Sequence, residues 1–505
     1  MASLQKRLGG LTAETLKGIR RGIEKESLRV QADGKLAQTP HPSELGAALT
    51  HPNVTTDFSE AQLELITGVH GDVEACFAEL TEIHQYVYRA IGDEMLWAGS
   101  MPCGLPAEEV IPIARYGSSN VGRAKSVYRM GLGHRYGRRM QMISGIHYNW
   151  SMPGISTEAY FALIRNFRRQ AFLLLYLFGA SPAVCSSFVA GRQHELQSLN
   201  QRTLYMPCGT SLRMGRLGYQ SDAQASLTVS YNSLERYAAM IEEALTQPYP
   251  AYSALGIFTP DGDYRQLATS LLQIENEFYG TIRPKRVISP GERPLHALRQ
   301  RGVEYVEVRC MDLNPFLQVG IDVQTMRFID VLLLHCLLTD SPPDTPQEIA
   351  ALAENQHLVA ARGRDPGLWL DRDGKEVALA EWGSRIVDEC ETIAAVLDKV
   401  HGGSGHRDAI ASAFASLNDP AGLPSARILA TMADDFDNSY VRFTRAQSEQ
   451  ARDALLKLPL ASSREDDFRS LAEQSIVAQK RIEATDTEPF EVYRKNYLSL
   501  SSLDV

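Results

Sequence analysis

No stretch of this chain stays apolar for long. The longest runs, around residues 171–180 and 331–338, fall well short of the ~20 residues that a membrane-spanning helix needs. Residues 1–7 lack the apolar segment of a secretory signal, so the expected location is the cytoplasm. Asn53-Val54-Thr55 and Asn149-Trp150-Ser151 fit the glycosylation pattern, but without a signal they are chance matches. The seven cysteines, at positions 76, 103, 185, 208, 310, 336 and 390, are scattered, odd in number and without a C-x-x-C pair. Neither a disulfide framework nor a zinc knuckle is therefore expected. An excess of positive charge is also missing: the net charge of −10 argues against nucleic acid or an anionic membrane as the main partner.

Several catalytic signatures are absent too. Without G-x-x-x-x-G-K-[ST], any nucleotide is held by something other than a P-loop. Gly131-Leu132-Gly133-His134-Arg135-Tyr136-Gly137 lacks the third-glycine spacing and the preceding strand of a dinucleotide fingerprint. There is no G-x-S-x-G, so Ser186-Ser187 after Cys185 reads as a packed turn. No internal repeat or low-complexity tract is found.

What is present is length and alternation. A chain of 505 residues can bury a large core and is ordinarily two to four domains. Residues 1–22 read as an amphipathic helix ending in a turn at Gly22. From about 23 to 320, alternating segments mix with helices, such as one over 156–178 that stops at Gly179. Beyond Ser341-Pro342-Pro343-Asp344 the pattern becomes helical, with helices over 377–400 and 446–484 and a turn at Gly402-Gly403-Ser404-Gly405. The expected fold is α+β: a catalytic core over 1–340 and a helical C-terminal region over 341–505 packed onto it. Irregular alternation of strands and helices argues against a doubly wound parallel sheet.

The most informative segment is Glu24-Lys25-Glu26. In an extended strand, residues i and i+2 share a face, so the two carboxylates project together and Lys25 points the other way. Like charges that close raise each other's pKa unless a cation lies between them, and Mg²⁺ or Mn²⁺ suits an all-oxygen site. Four further segments repeat the logic. Gln62 and Glu64 alternate with Leu63 and Leu65; His147 and Asn149 with Ile146 and Tyr148. Glu307 and Arg309 alternate with Val306 and Val308, and Gln273, Glu275 and Glu277 with largely apolar neighbours. One such strand is an ordinary half-exposed strand. Several in one sheet form an acidic wall whose cost is offset only by bound divalent cations, which in turn suit a polyphosphate. His147 is the odd member, since imidazole is not a preferred Mg²⁺ ligand and also fits a hydrogen-bonded pocket residue. Arg283, Lys285 and Arg286, around a turn at Pro284, are the basic counterpart, suited to a phosphate tail or to a solvated loop. Arg309, a lone cation beside Glu307, suits a transferring phosphoryl group. On residue chemistry alone, the wall suits phosphoryl transfer, and a metal-dependent hydrolase using the same carboxylates remains open.

Eight co-linear motifs add a resemblance. Arg21-Gly22-Ile23-Glu24-Lys25-Glu26-Ser27-Leu28-Arg29-Val30, Thr55-Thr56-Asp57-Phe58, Ser144-Gly145-Ile146-His147-Tyr148-Asn149 and Phe178-Gly179-Ala180-Ser181-Pro182-Ala183 resemble the proteobacterial-type glutamate–cysteine ligases. So do Thr210-Ser211-Leu212-Arg213, Gln273-Ile274-Glu275-Asn276-Glu277, Arg283-Pro284-Lys285-Arg286 and Tyr305-Val306-Glu307-Val308-Arg309. The likeness runs from about residue 15 to Phe490 and is looser in the C-terminal part. It implies a glutamine-synthetase-like fold: a curved, mainly antiparallel sheet forming a catalytic funnel, with helices outside. It implies Glu24, Glu26, Asp57, Glu64, His147 and Glu307 as metal-site positions, Asp57 on this ground alone. Phe58, Tyr128, Leu132, Tyr219 and Tyr279 match a cysteine pocket, and Gln141, Arg213 and Arg309 match polar residues near glutamate and the transferred phosphate. Arg129 is expected to act in catalysis with Glu307 and Arg309.

The implied reaction has ATP phosphorylate the γ-carboxylate of L-glutamate, after which the amine of L-cysteine displaces phosphate. It is the first step of glutathione biosynthesis, with ATP and Mg²⁺ (or Mn²⁺) as cofactors. An aromatic pocket suits a small thiol side chain and discriminates weakly against an isostere such as 2-aminobutyrate. The resemblance further implies a monomer and feedback inhibition by glutathione. A ligase for glutamate and another amine is the variant reading within the same class.

Overall fold

Alternating segments become strands wherever one side can be buried. The protein is described here by a computed structural model covering residues 2–218, 222–225, 227–289 and 291–503. In chain order the strands are β1 (Arg20–Val30), β2 (Val54–Thr56), β3 (Gln62–Ile66), β4 (Met95–Leu96), β5 (Ile146–Ser151), β6 (Ala183–Cys185), β7 (Gln197–Asn200), β8 (Thr203–Tyr205), β9 (Ile282–Lys285), β10 (Tyr305–Met311), β11 (Trp369–Arg372) and β12 (Lys375–Ala378). The main sheet is antiparallel and open, in the order β2-β3-β1-β5-β10-β9, with β4 paired to the end of β1.

Its register decides what shares a face. Glu26 lies opposite Glu64, Glu24 opposite His147, and Glu307 opposite both Asn149 and Arg283. The other face carries Ile23, Leu63, Leu65, Tyr148, Trp150, Val306 and Val308, all buried in the principal core. The helices Val73–Ala90, Thr157–Phe178 and Val323–Leu338 belong to that core and cover this face. Thr157–Phe178 starts where Ser156 accepts from the Ala159 amide at 3.2 Å and ends before Gly179, matching the expected bounds. Beyond residue 341 the chain is mainly helical apart from the β11–β12 hairpin, and its last helix, Phe490–Tyr497, packs on Asn120–Tyr136.

Five local expectations fail, each for a visible reason. Residues 1–22 form two short helices, Ala2–Gly9 and Ala13–Lys17. Gly22 is a strand residue, and a Cβ there would come within 3.1 Å of the Gly68 carbonyl, so close backbone approach explains the glycine better than a turn. Residues 273–279 alternate like a strand but form a 3-10 turn, Glu275–Glu277, because side chains there take the backbone groups a ladder would use. Residues 282–285, expected as a turn, form edge strand β9, a position that tolerates Pro284. The 446–484 helix is two, Tyr440–Lys457 and Ser462–Thr485, parted at Pro459. Finally, Cys103 and Cys185 form a disulfide across 82 positions, and nothing in their spacing signals it. No helix among the described residues is long and apolar enough to cross a membrane.

Candidate active site

The polar face of the sheet is the floor of a cavity of about 400 Å³. β1 contributes Glu24 and Glu26, β3 Glu64, β5 His147, β9 Arg283 and Lys285, and β10 Glu307 and Arg309; Asp57 joins from the loop before β3. The helix Asn120–Tyr136 forms the opposite wall with Lys125, Tyr128, Arg129 and Leu132, spaced so that one helical face lines the cleft. Gln141 and Tyr279 close one end, where the Gln141 amide donates to the Tyr279 hydroxyl at 3.2 Å.

The acidic groups fall into two electrostatic classes. Glu24 lies 3.3 Å from His147 Nδ1 and accepts from Asn149 Nδ2 at 2.9 Å. Glu307 lies 3.2 Å from Lys285 Nζ and 3.0 Å from an Arg309 nitrogen. Burial alone would raise both carboxyls. The His147 contact and Lys285 bring Glu24 below its usual range, and Lys285 with Arg309 holds Glu307 well below it. Glu26 and Glu64 are under-compensated: Arg213 and Arg309 draw Glu26 down and Arg129 draws Glu64 down, but burial and like charge outweigh them. Burial, then the charge of Asp57, pushes Glu26 up to about 8, although its Oε2 accepts from the Gly145 amide at 2.7 Å. Burial and the repulsion of Glu24, Asp57 and Glu26 raise Glu64 well above the carboxylate range.

That imbalance fits a cation. Ligand atoms of Glu24, Glu64 and His147 lie within 4.8 Å of one another. Burial and then Arg309 lower the His147 pKa, so its imidazole is neutral and free to ligate. A set of carboxylate oxygens with one imidazole suits Mg²⁺ or Mn²⁺, and a bound cation would remove the repulsion that keeps Glu26 and Glu64 protonated.

Lys25 faces away, as the alternation requires. Its Nζ lies 2.8 Å from His84 Nε2 and 3.1 Å from Ser27 Oγ, and burial pushes it down to about 7. Beneath β5, Gly145 leaves room for the Arg213 guanidinium, which a side chain there would strike. Arg213 donates to the Arg309 carbonyl at 2.8 Å and lies 3.8 Å from Asp312. It lines a second cavity of about 320 Å³ that shares Tyr279 and Arg309 with the first.

Not every expected site residue reaches the cleft. Phe58 is buried in the core with Leu132 and does not line the cavity. Arg286, just beyond the end of β9, points away: its guanidinium donates to the carbonyls of Arg301 and Gly302. Arg283 lines the cavity but is also tied to the Asn276 carbonyl at 2.9 Å and to that of Phe278. Tyr219 lies outside the described residues. Glu275 lines the cavity but is neutralised by Arg293, and Glu277 lies outside the lining, paired with Arg135. Cleft residues that alternation missed include Lys125, one turn before Arg129 and visible only as an i, i+4 pair, and Tyr493 and Tyr497 of the last helix.

Comparison with known proteins places the chain in a family. Residues 10–359 match the family model described as glutamate-cysteine ligase. The chain is 47% identical over 515 residues to the glutamate–cysteine ligase of Pseudomonas entomophila, covering 98% of this chain and 97% of that protein. It is 45% identical to that of Alcanivorax borkumensis, covering 98% and 99% respectively. A solved structure of glutamate–cysteine ligase from Francisella tularensis in complex with AMP superposes with a TM-score of 0.91 at 35% identity, over 96% of this chain and 98% of that one. A bifunctional glutathione synthetase from Pasteurella multocida matches at TM-score 0.70 and 26% identity, over 94% of this chain and 57% of that one. On this family match and these near full-length relatives, the chain belongs to the glutamate–cysteine ligase family.

Proposed function

We propose that the protein uses ATP to join the γ-carboxylate of L-glutamate to the amine of L-cysteine, the first step of glutathione biosynthesis. Residues 1–340 are then the catalytic core, and 341–505 a helical region packed on it that adds Tyr493 and Tyr497 to the cavity lining. The observation that carries the reading is the cavity floor, where two under-compensated carboxyls, Glu26 and Glu64, lie beside Glu24, His147 and Glu307. The AMP bound by the Francisella relative supports a nucleotide substrate.

A γ-carboxylate oxygen of glutamate attacks the γ-phosphorus of ATP, ADP departs, and the resulting acyl phosphate is open to the cysteine amine. Attack at the acyl carbon expels phosphate and the nitrogen loses a proton, so no covalent enzyme intermediate is needed. Arg309, oriented by its 3.0 Å contact with Glu307, meets the charge on the transferring phosphoryl group. Lys285 and Arg283 attract the remaining phosphates, and Arg129 approaches from the helical wall. Arg213 holds glutamate from the side of the second cavity. Tyr128, Leu132 and Tyr279 enclose the cysteine side chain, with Gln141 fixing the Tyr279 hydroxyl. Glu24, Glu26, Asp57, Glu64, His147 and Glu307 would hold Mg²⁺ or Mn²⁺, which would supply charge neutralisation for the phosphates.

The test is ADP release with Mg²⁺ and glutamate against a panel of amines. Release that requires both glutamate and cysteine is expected. Release indifferent to cysteine contradicts the reading, and release without glutamate marks a hydrolase.

A further inference from the structure

Within Phe178-Gly179-Ala180-Ser181-Pro182-Ala183 and Thr210-Ser211-Leu212-Arg213, only Arg213 lines either of the two cavities. The two segments meet instead at Asp312, one residue beyond β10. The Ala180 amide and the Ser181 hydroxyl donate to Asp312 Oδ2 at 2.9 and 2.7 Å, and the Ser211 hydroxyl donates to Oδ1 at 3.0 Å. Backbone bonds lock the segments to each other: the Ser181 amide donates to the Thr210 carbonyl at 3.1 Å and the Leu212 amide to the Ser181 carbonyl at 2.7 Å. The same Oδ1 lies 3.8 Å from a guanidinium nitrogen of Arg213. Asp312 and Arg213 are 4% and 1% exposed, so water screens this pair little. Burial raises the Asp312 carboxyl above its usual range, while Arg213 and the three donors draw it down. An apolar residue would fill the position at no greater cost to the fold, so stability alone does not account for a buried carboxylate here.

We infer that Asp312 is a positioning residue for glutamate: it aims the Arg213 guanidinium at the substrate, and Ser181 and Ser211 fix the Asp312 carboxylate in turn. The inference rests on the ligase reading, in which Arg213 holds glutamate, and deepens it by giving both serine segments a part in that site. Asp312 lines neither cavity, so its effect passes through Arg213. The guanidinium is held from two sides. One terminal nitrogen faces Asp312, and the other donates to the Arg309 carbonyl at 2.8 Å. Between them the group fills the space that a side chain at Gly145 would take, and the Gly145 amide donates to Glu26 at 2.7 Å. Without the Asp312 charge, the first nitrogen is left to the Met214 sulfur at 3.2 Å, a weak acceptor. The guanidinium can then pivot about its bond to the Arg309 carbonyl, and a binding group displaced by a fraction of an ångström loses much of its effect.

The experiment is steady-state kinetics of the full chain, each substrate varied in turn, with Tm, for wild type, Asp312→Asn and Ser211→Ala. Asparagine keeps the shape and can bond the Ala180 amide and both hydroxyls, so the charge facing Arg213 is what it removes. Ser211→Ala keeps the charge and releases the oxygen that faces Arg213. Asp312→Asn should raise KM for glutamate about tenfold and Ser211→Ala about threefold, with KM for ATP and cysteine within about twofold and kcat largely retained. A residue that only stabilised the fold would lower Tm and the active fraction, hence kcat, and leave all three KM values alone. That result, or equal rises in all three, overturns the inference. If Asp312→Asn does not fold, Ser211→Ala decides by the same criterion. Failure of the ligase reading shows instead in the wild-type chain, as ADP release that does not require glutamate and cysteine.

Discussion

Two Glu-x-Glu pairs in this chain look alike in sequence and serve opposite purposes. Glu24-Lys25-Glu26 lies in a central strand, and its carboxylates face a cavity shared with Glu64 and Glu307. Glu275-Asn276-Glu277 forms a single 3-10 turn, and each glutamate there has its own arginine: Glu275 with Arg293 at 2.7 Å and Glu277 with Arg135 at 2.8 Å. Glu277 also accepts from the Tyr136 hydroxyl and the Gln273 amide, so it organises a loop. In the first pair Glu26 is left short of positive charge, whereas both members of the second are satisfied within the protein. A buried carboxylate that the fold has not neutralised is the one that awaits something from solution.

The sharpest way to break this comparison is to neutralise one member of each pair. Glu26→Gln should lower kcat by about three orders of magnitude, by analogy with the loss of a group aimed at developing charge, while the metal-free protein becomes more stable. The sign follows from linkage. A carboxyl whose folded pKa is raised, to about 8 for Glu26, disfavours folding increasingly as pH climbs from its unfolded value near 4.5. At pH 7 that penalty is on the order of 3 kcal/mol, and glutamine escapes it. Thermal unfolding of the two metal-free proteins between pH 5 and 8 checks this: their Tm values should diverge as pH rises.

Glu277→Gln should do the reverse. Removing that charge strands Arg135 in the core and costs about 3 kcal/mol or more in denaturant unfolding. The surviving folded fraction should keep most of its turnover. A smaller effect separates Lys285, in the cavity, from Arg286 beside it: Arg286→Ala should leave kcat and KM for ATP within about twofold, since a surface contact of this kind carries little energy. An ATP-binding defect there would mean that β9 is turned over.

How much of this could be read from the chain depends on which physical pattern a residue belongs to. Strands β1, β3, β5 and β10 were legible because each has one face in the core and one in the cleft, and that difference prints a period of two on the sequence. The 273–279 segment prints the same period for another reason: its polar groups alternate inward to meet arginines and backbone amides. Alternation alone cannot tell a cleft face from a hydrogen-bonded turn. Pro284 suggested a turn because proline lacks an amide hydrogen, yet an edge strand can spare one. Tyr493 and Tyr497 were hidden as cavity residues because they return from the far end of the chain, and the Cys103–Cys185 bond because tertiary folding alone brings its partners together.

The central claim is that the unbalanced charge of Glu26 and Glu64 is completed by a divalent cation. The direct measurement is Tm with and without Mg²⁺, for the wild-type chain and Glu26→Gln, at pH 6 and pH 8. Ligation requires the deprotonated carboxylate, so Mg²⁺ should stabilise the wild type by more at pH 8 than at pH 6. The Glu26→Gln protein should start from a higher metal-free Tm and gain little from Mg²⁺ at either pH. Equal Mg²⁺ stabilisation of both proteins, or none in the wild type at pH 8, would contradict the account.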